Sequence, residues 1–265
     1  MYTRFHLQIS NFVAEVTICR PEKANAMDEP AWEEMRAIFN DLSQNDQVRA
    51  VILKAEGKHF CAGIDLDMFT RIKKRLEQVS PDEGYRREYL RRNILDLQAC
   101  INAIEQCSKP VLAAIEGHCI GGGVDIVCAA DMRYCTKEAI FSIGEINLGM
   151  VADLGTLQRM PRLIPPGIVA ELAYTGRAMT GTEAQAYGFV NGCFESQDAL
   201  LSAVRHIASQ IAAQSPLSIR GIKEMLRHGR DHTIAEGLRY VATWNAAMLL
   251  SADLQEALAG RLKKH

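Results

Sequence analysis

Apolar and polar residues alternate at the start of this chain. Phe5, Leu7 and Ile9 interleave with polar positions, and the alternation resumes from Val13 to Cys19 beyond Asn11. A period of two marks half-buried strands, so the two runs read as a β-hairpin turning at Asn11 and ending at Pro21. From Asp28 the spacing changes. Trp32, Met35, Ile38, Phe39 and Leu42 recur at helical intervals behind Asp28-Glu29-Pro30, which supplies a cap, an acid and a proline for a first turn. An unbroken apolar run over 48–55 predicts a buried strand, followed by a loop at 57–63 and a short helix from Asp65. Residues 70–92 are dense in both charge signs. They read as a solvated helix pair interrupted at Ser80-Pro81-Asp82 or, alternatively, as a basic rim for an anionic ligand. An amphipathic helix continues over 94–103.

A second buried strand over 111–115 leads to Gly121-Gly122-Gly123, and 124–130 reads as a short buried helix. Short strands at 132–135 and 140–143, a loop-like stretch at 144–153 and a helix at 156–163 come next. Helices are predicted near 168–175, 182–188, 199–213, 215–229 and 233–250, with an amphipathic tail over 253–264. The first half thus alternates strand and helix, and the last hundred residues are nearly all helical. This gives an α/β fold with a core over 1–198 and a C-terminal helical region over 199–265.

The glycine triplet sits at a strand-to-helix junction. Without Cβ atoms its backbone can approach a ligand closely, and amides at a helix N-terminus are electropositive. No Lys-Ser/Thr follows, and the spacing is not Gly-x-Gly-x-x-Gly, so neither phosphate-loop motif applies. The loop at His59-Phe60-Cys61-Ala62-Gly63-Ile64-Asp65 repeats the same design after the earlier strand. One amide from each turn could converge on a single oxygen and hold negative charge there.

Composition narrows the choice of function. The chain has 265 residues, 48% hydrophobic and 23% charged, with a formal net charge of −2, which gives no hint of general nucleic-acid affinity. No run approaches the length of a membrane span. Neither a signal or transit segment nor a peroxisomal ending is read, so a cytoplasmic location is expected. The eight cysteines form no Cys-x-x-Cys pair and the seven histidines show no ligand spacing, so no metal site is expected. Cys61 and Cys119 lie near the glycine turns but have no evident activating histidine, and His118 reads as a packing residue.

Phe60 to Leu66, Gly117 to Asp125, Asp131-Met132-Arg133, and Arg20-Pro21 through Asn25-Ala26 together resemble the crotonase superfamily, the enoyl-CoA hydratase/isomerase family, over essentially the whole chain. The resemblance implies a spiral core of repeated β-β-α turns, C-terminal helices that mediate trimerisation, and a homotrimer or dimer of trimers. It implies an acyl-CoA thioester substrate, with coenzyme A part of that substrate and no separate cofactor. By motif position the oxyanion-hole amides fall on Ala62 and Gly122. Coenzyme A contacts fall on Lys23, Ala24, Ala26, Ala62, Asp65 and Leu66. The basic tail, Arg261, Lys263 and Lys264, is a candidate for its phosphates or simply a complement to a helix dipole.

Within the family, hydratases carry glutamates where this chain has Asp125 and Glu145, and the shorter Asp125 is ill suited to hold a water. A third acid follows in Ala152-Asp153-Leu154-Gly155-Thr156-Leu157-Gln158-Arg159. That set closely resembles the Δ3,5-Δ2,4-dienoyl-CoA isomerases, although Gly144 stands where those often have lysine. Moving two double bonds by one position removes a proton at C2 and adds one at C6. The resemblance therefore implies Glu145 as base at C2, Asp153 as acid at C6, and Asp125 tuning one of them, with at least one of the three held protonated. Asp153 as an N-cap and Asp125 as a structural hydrogen-bond partner are the non-catalytic alternatives. A 2-enoyl-CoA hydratase, a Δ3-Δ2-enoyl-CoA isomerase using Glu145 alone, and a non-catalytic acyl-CoA-binding paralogue are the competing functions.

Overall fold

The computed structural model describes residues 2–79 and 81–255. Strands β1 (Phe5–Ser10) and β2 (Val13–Ile18) pair antiparallel with Ser10 opposite Val13. Asn11 and Phe12 both take positive φ, 49° and 62°, forming the two-residue turn whose twist matches paired strands. The alternation buries Ala14, Val16 and Ile18. The remaining strands are β3 (Ala50–Ala55), β4 (Val111–Ile115), β5 (His118–Ile120), β6 (Met132–Thr136), β7 (Ile140–Ser142), β8 (Met179–Thr180) and β9 (Gly192–Phe194). The helices are α1 (Glu29–Gln44), α2 (Asp67–Val79), α3 (Glu83–Gln106), α4 (Gly122–Ala129) and α5 (Thr156–Arg159), then α6 (Pro166–Thr175), α7 (Gly181–Ala186), α8 (Gln197–Ala212), α9 (Pro216–His228) and α10 (Ile234–Met248).

One sheet runs β1-β2-β3-β4-β6-β9, parallel except at β1, and a smaller sheet runs β5-β7-β8. The chain leaves the large sheet at β4, lays β5 into the small one, and turns into α4. It repeats the move through β6 and β7 into a 3-10 turn at Gly144–Leu148. A bridge between Cys61 and Cys119 sets the loop after β3 beside β5, so that turn follows the same path. These are the repeated β-β-α turns. Strands β3 and β4 are apolar without alternation because both faces are covered. Trp32, Phe39 and Ile101 pack over one face, and Leu200, Val204 and Ala208 of α8 cover the other.

Three strands depart from the sequence expectation. β5 intervenes between β4 and the glycines, reached through Gly117. That residue has φ 59°, and a Cβ there would lie 1.9 Å from the Lys58 carbonyl oxygen. β8 and β9 fall in the gaps between helices of the last hundred residues, expected to be nearly all helical; two and three residues long, they leave no alternation to read. In the C-terminal helical region, Lys223 of α9 is buried and pairs with Asp131 at 2.7 Å, tying that helix to the start of β6. The predicted tail helix over 253–264 lies mostly outside the described residues, and Arg261, Lys263 and Lys264 lie wholly outside them. No helix among the described residues is long and apolar enough to cross a membrane.

Candidate active site

The two glycine turns meet edge to edge. A Cβ on Gly122 would lie 3.7 Å from the Ile64 nitrogen, and one on Gly63 would lie 3.6 Å from the Gly122 nitrogen. Neither position has room for a side chain: a Cβ on Gly122 would press on the Trp32 ring at 3.2 Å, and one on Gly63 on the Ile120 carbonyl oxygen at 3.0 Å. Gly122 opens α4, so its N–H has no partner within the helix. Around Ile64, the Met27 N–H donates to the Gly63 carbonyl and the Asp65 N–H donates to the Met27 carbonyl, at 2.8 and 2.9 Å. This parallel bridge leaves the Ile64 N–H pointing away from Met27, with no acceptor among the described residues. Ala62, by contrast, donates its N–H to the Ala24 carbonyl at 3.0 Å. The expectation that Ala62 offers a free amide is therefore corrected: that donor is spent inside the protein, and the amide beside Gly122 is that of Ile64.

Three carboxyl groups gather around this point, and none of them is in an ion pair among the described residues. Asp125 lies in the first turn of α4, 1% exposed. Its Oδ1 accepts from the Thr156 amide at 2.6 Å and from the Thr156 hydroxyl at 2.7 Å, whereas its buried Oδ2 has no partner among the described residues. Burial pushes its carboxyl up to about 6 against the pull of Thr156. Glu145 sits in the 3-10 turn after β7. Its Oε1 is 3.1 Å from where a Cβ on Gly121 would be, and Gly121 itself has φ 51°. The glycine is thus required both by its conformation and by the carboxylate above it. The Oε2 of Glu145 is buried without a partner among the described residues. Burial first, then repulsion from Asp125 and Asp153, raises Glu145 to about 7.

Asp153 is also raised by burial. It does not cap the helix that follows: Gly155 is the N-cap of α5, and no side-chain hydrogen bond is made there. The loop that carries Asp153 is fastened to α3 instead. Gln98 donates to the Asp153 carbonyl at 2.6 Å. Arg159 reaches Asn102 at 2.6 Å and Glu105 at 2.8 Å, and also the Leu154 carbonyl at 3.4 Å. Beside Glu145 opens a largely apolar cavity of about 380 Å³, lined by Ile143, Ile146, Met150, Ala152 and Leu157 among others.

The segment expected to meet coenzyme A is built around Asn25, which is fully buried. It accepts from the Arg20 amide and donates to the Glu56 and His59 carbonyls at 2.8 and 2.7 Å. Those bonds hold Ala24 and Asn25 at positive φ, 49° and 57°, and place Ala24 against Ala62. Lys23 and Leu66 are exposed, and Ala26 is half-buried. The Asp65 carboxylate is engaged internally. It pairs with Arg20 at 2.7 Å and accepts from the Asp67 amide at 3.0 Å, and these bonds hold it below the usual range despite burial. Cys61 and Cys119 are fully buried, and burial pushes the Cys61 thiol up to about 12, so neither offers a thiolate. His118 is exposed and stacks on His59 with ring centroids 4.5 Å apart. No cluster of metal-ligating side chains occurs among the described residues.

The chain is similar to known proteins in sequence and in fold. Residues 8–264 match the family described as enoyl-CoA hydratase/isomerase. The peroxisomal Δ(3,5)-Δ(2,4)-dienoyl-CoA isomerase of Arabidopsis thaliana is 45% identical over 95% of this chain and 90% of its own length. The mitochondrial Δ(3,5)-Δ(2,4)-dienoyl-CoA isomerase of Homo sapiens is 43% identical over 93% of this chain and 75% of its own. Among solved structures, the enoyl-CoA hydratase of Bacillus anthracis superposes with a TM-score of 0.87 at 28% identity, covering 99% of this chain and 97% of that one. The expected cytoplasmic location is overturned, because these similar isomerases are peroxisomal and mitochondrial proteins.

Proposed function

The chain belongs to the enoyl-CoA hydratase/isomerase family, and from that premise we propose that it is the enzyme that converts 3,5-dienoyl-CoA to 2,4-dienoyl-CoA. The observation that carries this reading is the trio Asp125, Glu145 and Asp153, gathered beside two facing amides with no cation paired to any of them among the described residues.

In this mechanism the thioester oxygen accepts hydrogen bonds from the Ile64 and Gly122 amides, which form the oxyanion hole. Glu145 takes the C2 proton, and the electron pair spreads through the diene onto the thioester oxygen. Asp153 then delivers a proton to C6, which leaves double bonds at C2 and C4. A base poised near 7 suits its task at neutral pH. Mutual repulsion prevents all three acids from ionising there, and the productive state places the shared proton on Asp153. Glu145 competes for that proton in the empty site, so pH sets the productive share. The chemistry needs no cofactor, since coenzyme A arrives on the substrate. Lys23, Ala24, Ala26, Ala62 and Leu66 line its approach, while Asp65 shapes that segment through Arg20. We also propose a trimer, or a dimer of trimers, formed through α9 and α10, where Ile222, Leu226 and Leu238 are more than half exposed.

An ultraviolet assay with 3,5-octadienoyl-CoA beside crotonyl-CoA tests the reading. Growth of the conjugated 2,4-dienoyl chromophore is expected. Loss of crotonyl-CoA absorbance with the dienoyl ester untouched would make the protein a hydratase, and binding of both esters without turnover would make it a non-catalytic paralogue.

A further inference from the structure

Thr156 directs both of its donors, the amide at 2.6 Å and the hydroxyl at 2.7 Å, onto the same oxygen of Asp125. The other oxygen is buried and unbonded among the described residues. A carboxylate held this way is asymmetric. Its charge is drawn to the bonded oxygen, and a proton arriving on it belongs on the free one. Thr156 is itself 1% exposed, and it opens α5 directly after the Asp153 loop that Gln98 and Arg159 pin to α3. The side chain that fixes Asp125 is therefore carried by the same fastened segment that carries Asp153.

We propose that Thr156 is a positioning residue for the isomerisation: it fixes which oxygen of Asp125 is free and sustains the negative charge of Asp125 beside Glu145 and Asp153. The inference rests on the isomerase reading and extends it to a side chain outside the three acids. The groups that act electrostatically on Asp125, or feel it, are Asp153, Glu145, Arg159 and the thiols of Cys61, Cys119 and Cys128. Of these, only Arg159 favours its charge, and Arg159 already holds Glu105 and Asn102.

The test is a carbon-13 titration of the aspartate carboxyls, together with the pH profile of kcat/KM, in wild type, Thr156→Val and Thr156→Ser. Valine keeps the shape and the amide but removes the hydroxyl. It should raise the Asp125 midpoint by about one pH unit, as expected for losing one hydrogen bond to an ionised group. With Asp125 protonated, repulsion on Glu145 falls, so the acid limb of kcat/KM should move to lower pH. Serine should restore both. If Thr156→Val does not fold, Thr156→Ala removes the same hydroxyl and carries the same expectation. An Asp125 midpoint unmoved by loss of the hydroxyl, or moved equally by serine, overturns the proposal. Failure of the isomerase reading would appear separately, as absence of dienoyl turnover in wild type with the carboxyl titrations still readable.

Discussion

Asp28 and Asp65 are buried against Arg4 and Arg20, with contacts of 2.9 and 2.7 Å, whereas Asp125 is buried, and Glu145 and Asp153 half-buried, with no cation paired to them among the described residues. Both groups lie at turns of the spiral, and both are wholly or partly removed from bulk water. In the first group the positive charges and the Asp67 amide offset the loss of hydration, and Asp65 titrates below its usual range. In the second, burial dominates and every carboxyl titrates above it. The first arrangement holds the Arg20–Asn25 segment onto the loop after β3. The second raises the titration of all three acids, Asp125 to about 6 and Glu145 to about 7, at a cost in stability. Burial of an acid alone therefore does not mark a candidate site; several acids sharing one place without a paired cation do.

The largest effect should come from the unpaired group. Asp153→Asn and Glu145→Gln should each lower kcat on 3,5-dienoyl-CoA by about 10²–10⁴-fold while leaving the fold intact, as read by the ultraviolet assay and circular dichroism. Next comes the paired group. Arg20→Met strands Asp65 as an unpaired buried charge and should destabilise the protein by about 2–4 kcal/mol in urea unfolding. A Met variant as stable as wild type would remove the distinction between the groups.

Glu145→Gln should act on stability in the opposite direction. The raised folded value means that the folded state binds this proton more tightly than the unfolded chain does. The penalty is therefore absent below about 4.5 and fully present above about 7. A shift of that size corresponds to at most about 3 kcal/mol, and solvent reaching the half-buried group reduces it to about 1–2 kcal/mol. The variant should match wild type near pH 4 and exceed it by that amount at pH 8. A gain that is independent of pH would mean the carboxyl is not strained by burial. The smallest effect belongs to the rim: Lys23→Ala should raise KM for acyl-CoA roughly threefold at low salt, and less as salt is added.

Much of this was legible in the sequence, for identifiable reasons. The hairpin, α1 and the buried strands β3 and β4 follow from alternation, helical spacing and unbroken apolar runs. The three acids were legible through the resemblance of the motifs that carry them to the dienoyl-CoA isomerases. The free amide was not. Whether Ala62 or Ile64 presents an N–H depends on a parallel bridge to Met27 and on the Ala24 carbonyl, both set by chain segments far away in sequence. The role of Thr156 is hidden in the sequence for a related reason. It reads as an ordinary residue at the start of a helix, and only the fold brings its hydroxyl to Asp125, 31 residues earlier. β5 is not legible in the sequence because three residues after a glycine turn cannot display a period.

In the proposed mechanism two separate carboxyls act at opposite ends of the diene. Proton exchange in deuterium oxide tests it most directly. Asp153→Asn, incubated with 3,5-octadienoyl-CoA, should place deuterium at C2 without forming the 2,4-dienoyl product, because Glu145 still removes and returns that proton. Glu145→Gln should show neither exchange nor product. Exchange at C2 that persists in Glu145→Gln, or isomerisation that persists in Asp153→Asn, would contradict the assignment.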